Sequence, residues 1–239
     1  MRRAAGLDFL DFSASESDAT KVIGAFLTAI KIFGFEVSAG GGWVGVGGMR
    51  AHRFYFNNWP EDWRNLYLEK RFFESDPIAI ETRRRMMPFL WSEIGDARSF
   101  TVEGRAVLEA AKAYGWSEVM GVPIHGPAGY QGLVSLASLD PVLMSSTERA
   151  LLHTMALAVH DRAHASIGLG ASTRPVIHIT PREAECMRWV AAGKTDAEIG
   201  IILGIAQATA HYHVEQVKKK AGTRSRSVAV ALLVLEGSI

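Results

Sequence analysis

The stretch that decides the architecture runs from Thr180 to Gly222, TPREAECMRWVAAGKTDAEIGIILGIAQATAHYHVEQVKKKAG. Thr180-Pro181-Arg182-Glu183 reads as a capping box: the Thr180 hydroxyl can accept from the third backbone N–H of a helix while Glu183 reaches back to the cap. Pro181 suits the first helical position, where a missing N–H is no loss. Gly193 supplies the left-handed residue that ends this helix. Thr195-Asp196-Ala197-Glu198 repeats the box, Ile199, Ile202 and Leu203 give the second helix its apolar face, and Gly204 closes it. A third helix from about Ala206 to Lys220 has Ala206, Ala210, Val214, Val217 and Ala221 at spacings of three and four, predicted to face inward. Gln207, Ala208, His211, Tyr212, Glu215, Lys218 and Lys219 are left outward. A fourth helix from about Ser227, with Val228, Leu232 and Leu235 inward, is expected to cover the core. Short helices joined by a tight glycine turn form a helix-turn-helix. Its third helix offers polar side chains for base edges and cations for phosphates. A solvated basic face on a plain helical cap would explain the three consecutive lysines, but not the spacing of caps and glycines.

Upstream, Ile167 to Pro175, IGLGASTRP, has no apolar periodicity and reads as a linker. The expected organisation is therefore 1–166, a linker at 167–175, and 176–239. Charge divides at the same place. From Thr173 onward nine Lys/Arg stand against six Asp/Glu, whereas the rest of the chain carries seventeen against nineteen. An anion-binding module joined to a near-neutral one has this asymmetry. Of the 239 residues, 48% are hydrophobic and 21% charged, a balance that supports globular domains. Cys186 is the one cysteine, which excludes an intramolecular disulfide and points to a reducing compartment, the cytoplasm. The start, MRRAAGLDFLDFSASESD, lacks the apolar run of a signal peptide, and no segment is expected to span a membrane.

Helix and strand patterns mix before the linker. Asp18 to Phe33 spaces Val22, Ile23, Phe26, Leu27 and Ile30 on one helical face, and the glycine-rich stretch from Phe35 to Phe56 reads as strands and turns. Val107 to Tyr114 is again helix-like. Val119 to Ile124 and Gly132 to Leu139 flank a hairpin loop, HGPAGYQ. Ser145 to His164 reads as a long helix with Leu151, Leu152, Met155, Val159 and Arg162 on a packed or dimer-forming face. The expectation is an α+β domain, an α-β-α sandwich with an antiparallel sheet, followed by an all-α domain. Gly40 to Gly48 lacks the spacing of a phosphate loop. His125, His153 and His160 lack metal-ligand spacing, and Cys186 reads as a small buried hydrophobe.

Phe54 to Trp91 is dense in aromatic residues: Trp59, Trp63, Tyr67, Phe72, Phe73 and Trp91. Trp63 and Tyr67 lie four apart on one face of a helix opened by Pro60. Polar-tipped aromatics so placed either cap a core or line an amphipathic pocket. Asp76, after the apolar FFES run, either caps the helix begun by Pro77 or accepts a hydrogen bond from a ligand.

The C-terminal stretch resembles the DNA-binding domain of LuxR-type regulators, with Glu183, Gly193, Lys194, Thr195, Glu198, Ile199, Thr209, His213 and Val214 at matching places over about 60 residues. Met187 replaces a usual Leu, a volume-conserving swap. His211 stands where Lys or Arg is common. The resemblance implies DNA contacts from Thr195, Gln207, Thr209, His211, Tyr212, Glu215, Lys218 and Lys219. In the first domain Trp63, Tyr67, Asp76, Pro77, Trp91 and Gly121 match acyl-homoserine lactone receptors of that family. The resemblance implies that Trp63 donates to the lactone carbonyl, that Asp76 accepts from the amide, and that Tyr67 and Trp91 pack the head group, with Ser135 nearby. Trp59 stands where Tyr is common, which implies a reshaped pocket favouring a short, branched or aryl acyl group.

The expected function is a quorum-sensing regulator, not an enzyme. It takes an N-acyl-homoserine lactone as ligand and no cofactor or metal, binds inverted-repeat double-stranded promoter DNA as a homodimer, and works with RNA polymerase. The rival readings are a receptor of the same fold for another metabolite and an acyl amide or lactone hydrolase. The hydrolase lacks a nucleophile, a metal cluster or an activated-water site. A phosphorylation-switched response regulator would need βα alternation and an acidic cluster that the first half does not have.

Overall fold

The computed structural model describes residues 1–46, 49–95, 100–126, 130–167 and 177–239, and backbone alone for 44–46 and 49–51. These fall into two compact units, one running through the long helix ending at Ser166 and the other beginning with the helix at Pro181. Most of the expected linker lies outside the described residues.

The first unit begins with α1 (Arg2–Ser15) and α2 (Ala19–Phe33), then the hairpin β1 (Val37–Val46) and β2 (Met49–Asn57). Helices α3 (Glu61–Glu69) and α4 (Pro77–Thr82), the short β3 (Phe89–Leu90) and α5 (Val102–Ala113) follow. Strands β4 (Glu118–Gly126) and β5 (Tyr130–Ser138) and the long α6 (Ser146–Ser166) complete it. The sheet order is β2-β1-β5-β4-β3. Strand β1 pairs antiparallel with both β2 and β5, Ala39 opposite Ser135, and β3 pairs antiparallel with β4, Phe89 opposite Gly121. The expected α-β-α sandwich with an antiparallel sheet is the observed one.

Period-two alternation sends each strand's side chains to different layers. Met120, Val122, Ile124, Val134 and Leu136 join Phe26, Ile30, Phe33, Leu152, Met155 and Val159 in the main core under α1, α2 and α6. Val119 and Ala137 face the other way, into an aromatic cluster with Trp63, Tyr67 and Trp116. Helix α1 was not legible in the sequence, because Asp8 and Asp11 interrupt its apolar spacing. It is seated by Phe9, 3% exposed, and by Gly6, where a Cβ would lie 2.3 Å from the Leu151 side chain.

The second unit comprises α7 (Pro181–Ala191), α8 (Asp196–Leu203), α9 (Gln207–Lys220) and α10 (Arg226–Glu236). Both predicted capping boxes form: Thr180 accepts from the Glu183 N–H and Thr195 from the Glu198 N–H, with each glutamate bonded back to its cap. Gly193 and Gly204 have φ of +80° and +65°, the left-handed conformation that a side chain disfavours. At Gly200 a Cβ would meet the Ile205 carbonyl at 2.8 Å, so the α8–α9 turn folds directly over this residue.

Three details of the inward faces differ from expectation. Ala206 is exposed because it precedes the first turn of α9 as its N-cap, while Ala210, Val214 and Val217 are buried as predicted. Ile202 is 42% exposed, since the turn over Gly200 directs Ile199 and Gly200 to the core. In α10 the buried residues are Ala229 and Leu233, with Val228 and Leu235 exposed. That helix is apolar around most of its circumference, so periodicity does not choose a face and packing on α7 and α9 does.

Candidate functional site

A narrow cavity with a free volume of about 40 Å³ lies in the aromatic layer of the first unit. Trp59, Trp63, Tyr67, Asp76, Trp91 and Ser135, the six residues singled out above, all line it. They arrive from separate elements: the segment before α3, α3 itself, the N-cap of α4, the turn after β3, and β5. Helix α3 carries Trp63 and Tyr67 one turn apart on its buried face, 2% and 5% exposed. Trp59 packs on Tyr67 with ring centroids 5.0 Å apart, and Trp116 meets Trp63 edge-on at 5.0 Å.

Two polar groups give the cavity its chemistry. Asp76 caps α4, its Oδ1 accepting from the Ile78 N–H at 2.9 Å, while Oδ2 accepts from the Tyr67 hydroxyl at 2.8 Å. The helix-capping alternative for Asp76 is the one observed; a carboxylate has about four acceptor directions, so acceptor capacity remains beyond these bonds. Burial pushes its carboxyl above the ordinary range, opposed by the bonds from Tyr67, Ile78 and Ala79. Burial, reinforced by the Asp76 charge, drives the Tyr67 hydroxyl far upward, so it remains a donor. The second group is the indole N–H of Trp63. It is buried and has no hydrogen-bond partner among the described residues, an arrangement that costs about 1–3 kcal/mol unless a partner arrives. Ser135 Oγ reaches the Ala39 carbonyl only at 3.4 Å.

Sequence reasoning missed Trp116, Ile78, Val107, Leu108, Ala111, Val119 and Ala137 as cavity walls. The apolar spacing of 107, 108 and 111 marked a helix face, but which layer that face covers is a tertiary matter. Gly121 makes room for the Phe89 ring behind the cavity, where a Cβ would lie 2.7 Å away.

In the second unit Gln207, Thr209, His211, Tyr212 and Lys219 are exposed on α9. Glu215 and Lys218 are half-buried and bonded to each other. Thr195 is exposed, its hydroxyl engaged with Glu198. Lys220 turns back to Glu183. On α9 the exposed polar side chains therefore lie in its first half, with Lys219 as an exposed cation near its end.

Residues 18–163 match the autoinducer binding domain, and residues 178–233 match the bacterial regulatory proteins of the luxR family. The chain is 32% identical over 228 residues to the transcriptional activator BjaR1 of Bradyrhizobium diazoefficiens, covering 95% of this chain and 93% of that one. It is 30% identical to the quorum sensing-dependent transcriptional regulator RpaR of Rhodopseudomonas palustris, covering 100% and 95%. This chain belongs to the LuxR family of transcription regulators. The crystal structure of Escherichia coli SdiA shares its fold, with a TM-score of 0.63 at 22% identity, covering 99% of this chain and 96% of that one.

As a LuxR-type regulator the chain couples an autoinducer-binding domain to a DNA-binding helix-turn-helix, and the family is one of regulators, not enzymes. No helix among the described residues is long and apolar enough to cross a membrane.

Proposed function

We propose that the aromatic cavity of this LuxR-type regulator binds an N-acyl-homoserine lactone, with Trp63 donating to the lactone carbonyl and Asp76 accepting from the amide N–H. Tyr67 and Trp91 flank the head group and Ser135 lies beside it. The observation that carries this reading is the buried, unpartnered indole N–H of Trp63 in the same cavity as the Asp76 carboxylate. An amide and a lactone supply the one acceptor and one donor that these groups lack. The small free volume and the bulk of Trp59 favour a short, branched or aryl acyl group.

The ligand-bound form acts as a cytoplasmic homodimer on inverted-repeat promoter DNA, where it meets RNA polymerase, since a two-fold dimer pairs two half-sites. The proposed domains are 1–166 and 176–239 with a linker at 167–175, and the matched stretches 18–163 and 178–233 fall inside them. Thr195, Gln207, Thr209, His211, Tyr212, Glu215, Lys218 and Lys219 form the DNA-facing set.

Thermal melting of the purified chain with straight-chain, branched and aryl homoserine lactones tests the receptor reading. One member at a hundredfold excess over its Kd stabilises by about 2.7 kcal/mol, and Asp76→Ala abolishes the shift. Absence of any shift across the panel favours a receptor for a different metabolite. Lactone ring opening during the assay would revive the hydrolase.

A further inference from the structure

Helices α8 and α9 are joined by a side-chain pair with a defined polarity. His211 Nδ1 lies 2.8 Å from Asp196 Oδ2. The imidazole side chain is 60% exposed, the aspartate side chain only 17%. The other carboxylate oxygen, buried and without a hydrogen bond among the described residues, faces Arg226 Nη2 at 3.4 Å. The same nitrogen donates to the Lys194 carbonyl at 2.9 Å, which fixes the guanidinium from α10. Asp196 is thus held at the junction of three helices and points one oxygen at the outer face of α9.

A carboxylate only accepts, so the proton of this contact sits on Nδ1. In the neutral imidazole this bond takes the one ring proton. The remaining nitrogen, Nε2, is then an acceptor on a ring that is 60% exposed, on the same helix as the exposed Gln207, Ala208 and Tyr212. Lys or Arg at this position could only donate. In the major groove an acceptor pairs with the amino groups of adenine or cytosine, whereas a donor pairs with the keto and ring-nitrogen acceptors of guanine or the keto oxygen of thymine.

We propose that Asp196 is a positioning residue that locks His211 with Nε2 outward as an acceptor, so that His211 specifies an adenine or cytosine amino group in each half-site. This deepens the DNA-binding reading above and rests on it.

Two measurements test the proposal separately. Long-range ¹H–¹⁵N spectra of the full chain, with the His211 signals assigned by their loss in His211→Asn, report the tautomer without DNA. The Nδ1-protonated neutral form is expected at pH 7.5, retained in Asp196→Asn, whose amide oxygen still accepts, and lost in Asp196→Ala. An Nε2-protonated ring or an imidazolium in the unmodified protein overturns it. The second measurement is selection from a double-stranded library of inverted repeats with randomised half-sites. At one position per half-site His211→Lys should exchange an amino base for a keto base on the same strand, a change of roughly tenfold in preference. Asp196→Ala should flatten that position and Asp196→Asn preserve it. An unchanged preference in His211→Lys overturns the proposal while leaving the DNA-binding reading intact. Enrichment of no sequence by the unmodified, ligand-stabilised protein sinks both.

Discussion

The two faces of the sheet leave their buried polar groups in different company: on the face under α6, Ser38 Oγ, opposite Leu136, lacks a partner among the described residues but lines no cavity, while the leftover group on the other face does. On the face under α6, Tyr55 and Tyr130 share a hydrogen bond of 2.9 Å, Tyr130 bonds His160 Nε2 at 3.0 Å, and that nitrogen lies 3.3 Å from the Gly41 carbonyl. Glycines make the room: a Cβ at Gly132 would lie 2.6 Å from His160 Nε2, and one at Gly42 2.3 Å from the Tyr130 hydroxyl. On the opposite face the Trp63 N–H is left over and Asp76 keeps spare acceptor capacity. A closed network serves the fold, because its members pair with one another. An open one costs stability and is repaired by something from outside. The difference separates scaffold from site more sharply than burial does, since His160 and Trp63 are 3% and 2% exposed.

The largest effect expected is on the closed face. Gly132→Val forces a branched side chain against His160 and the β1 backbone and should cost about 3 kcal/mol in urea unfolding. A cost below about 1 kcal/mol would mean that the network is looser than its distances imply. Acidification comes next. Burial, with the neighbouring His164 charge adding to it, lowers the His160 pKa to about 4. The unfolded chain therefore binds more protons than the folded one between about 4 and 6.5, and stability rises with pH across that window. Going from pH 7 to 5 should remove on the order of 2 kcal/mol through His160, and His160→Leu should flatten the profile. His52, also lowered to about 4 by burial, adds a contribution of the same sign. Asp76 acts in reverse: its raised carboxyl pKa makes stability fall as pH climbs from the unfolded value through the folded one.

The sharpest comparison deletes one polar group from each face. Tyr130→Phe leaves Tyr55 and His160 each short of a partner and should cost about 1–2 kcal/mol. Trp63→Phe removes a donor that has no partner among the described residues, so its cost is limited to lost ring volume, about 1 kcal/mol or less. It should nevertheless abolish any thermal shift that a member of the lactone panel produces. Equal costs for the two substitutions would collapse the distinction between the faces.

The second unit was largely legible because its determinants are local. A capping box spans four residues, and a glycine with positive φ acts where it stands. Thr180, Glu183, Gly193, Thr195, Glu198 and Gly204 consequently marked three helices within a residue or so. The errors fell where local signals are silent: in α10, whose apolar residues leave no preferred face, and at Ile202, whose exposure follows from the close approach of the turn to Gly200. In the first unit the aromatic residues were visible, but their convergence was not. Trp59 and Ser135 are 76 positions apart in number and meet only because β5 lies inside the sheet beside β1.

By itself the sequence determined the two-domain order, the helix boundaries of the second unit, and the aromatic and acidic residue types that line the cavity. Caps, turns and alternation act over a few residues, and composition needs no partner. Only the tertiary structure decided that Asp76 is both cap and cavity wall, that Trp63 lacks a partner among the described residues, and that Asp196 lies within hydrogen-bond reach of His211. Each of these depends on which groups the folded chain brings within hydrogen-bond reach, about 3 Å, and no local pattern encodes that distance.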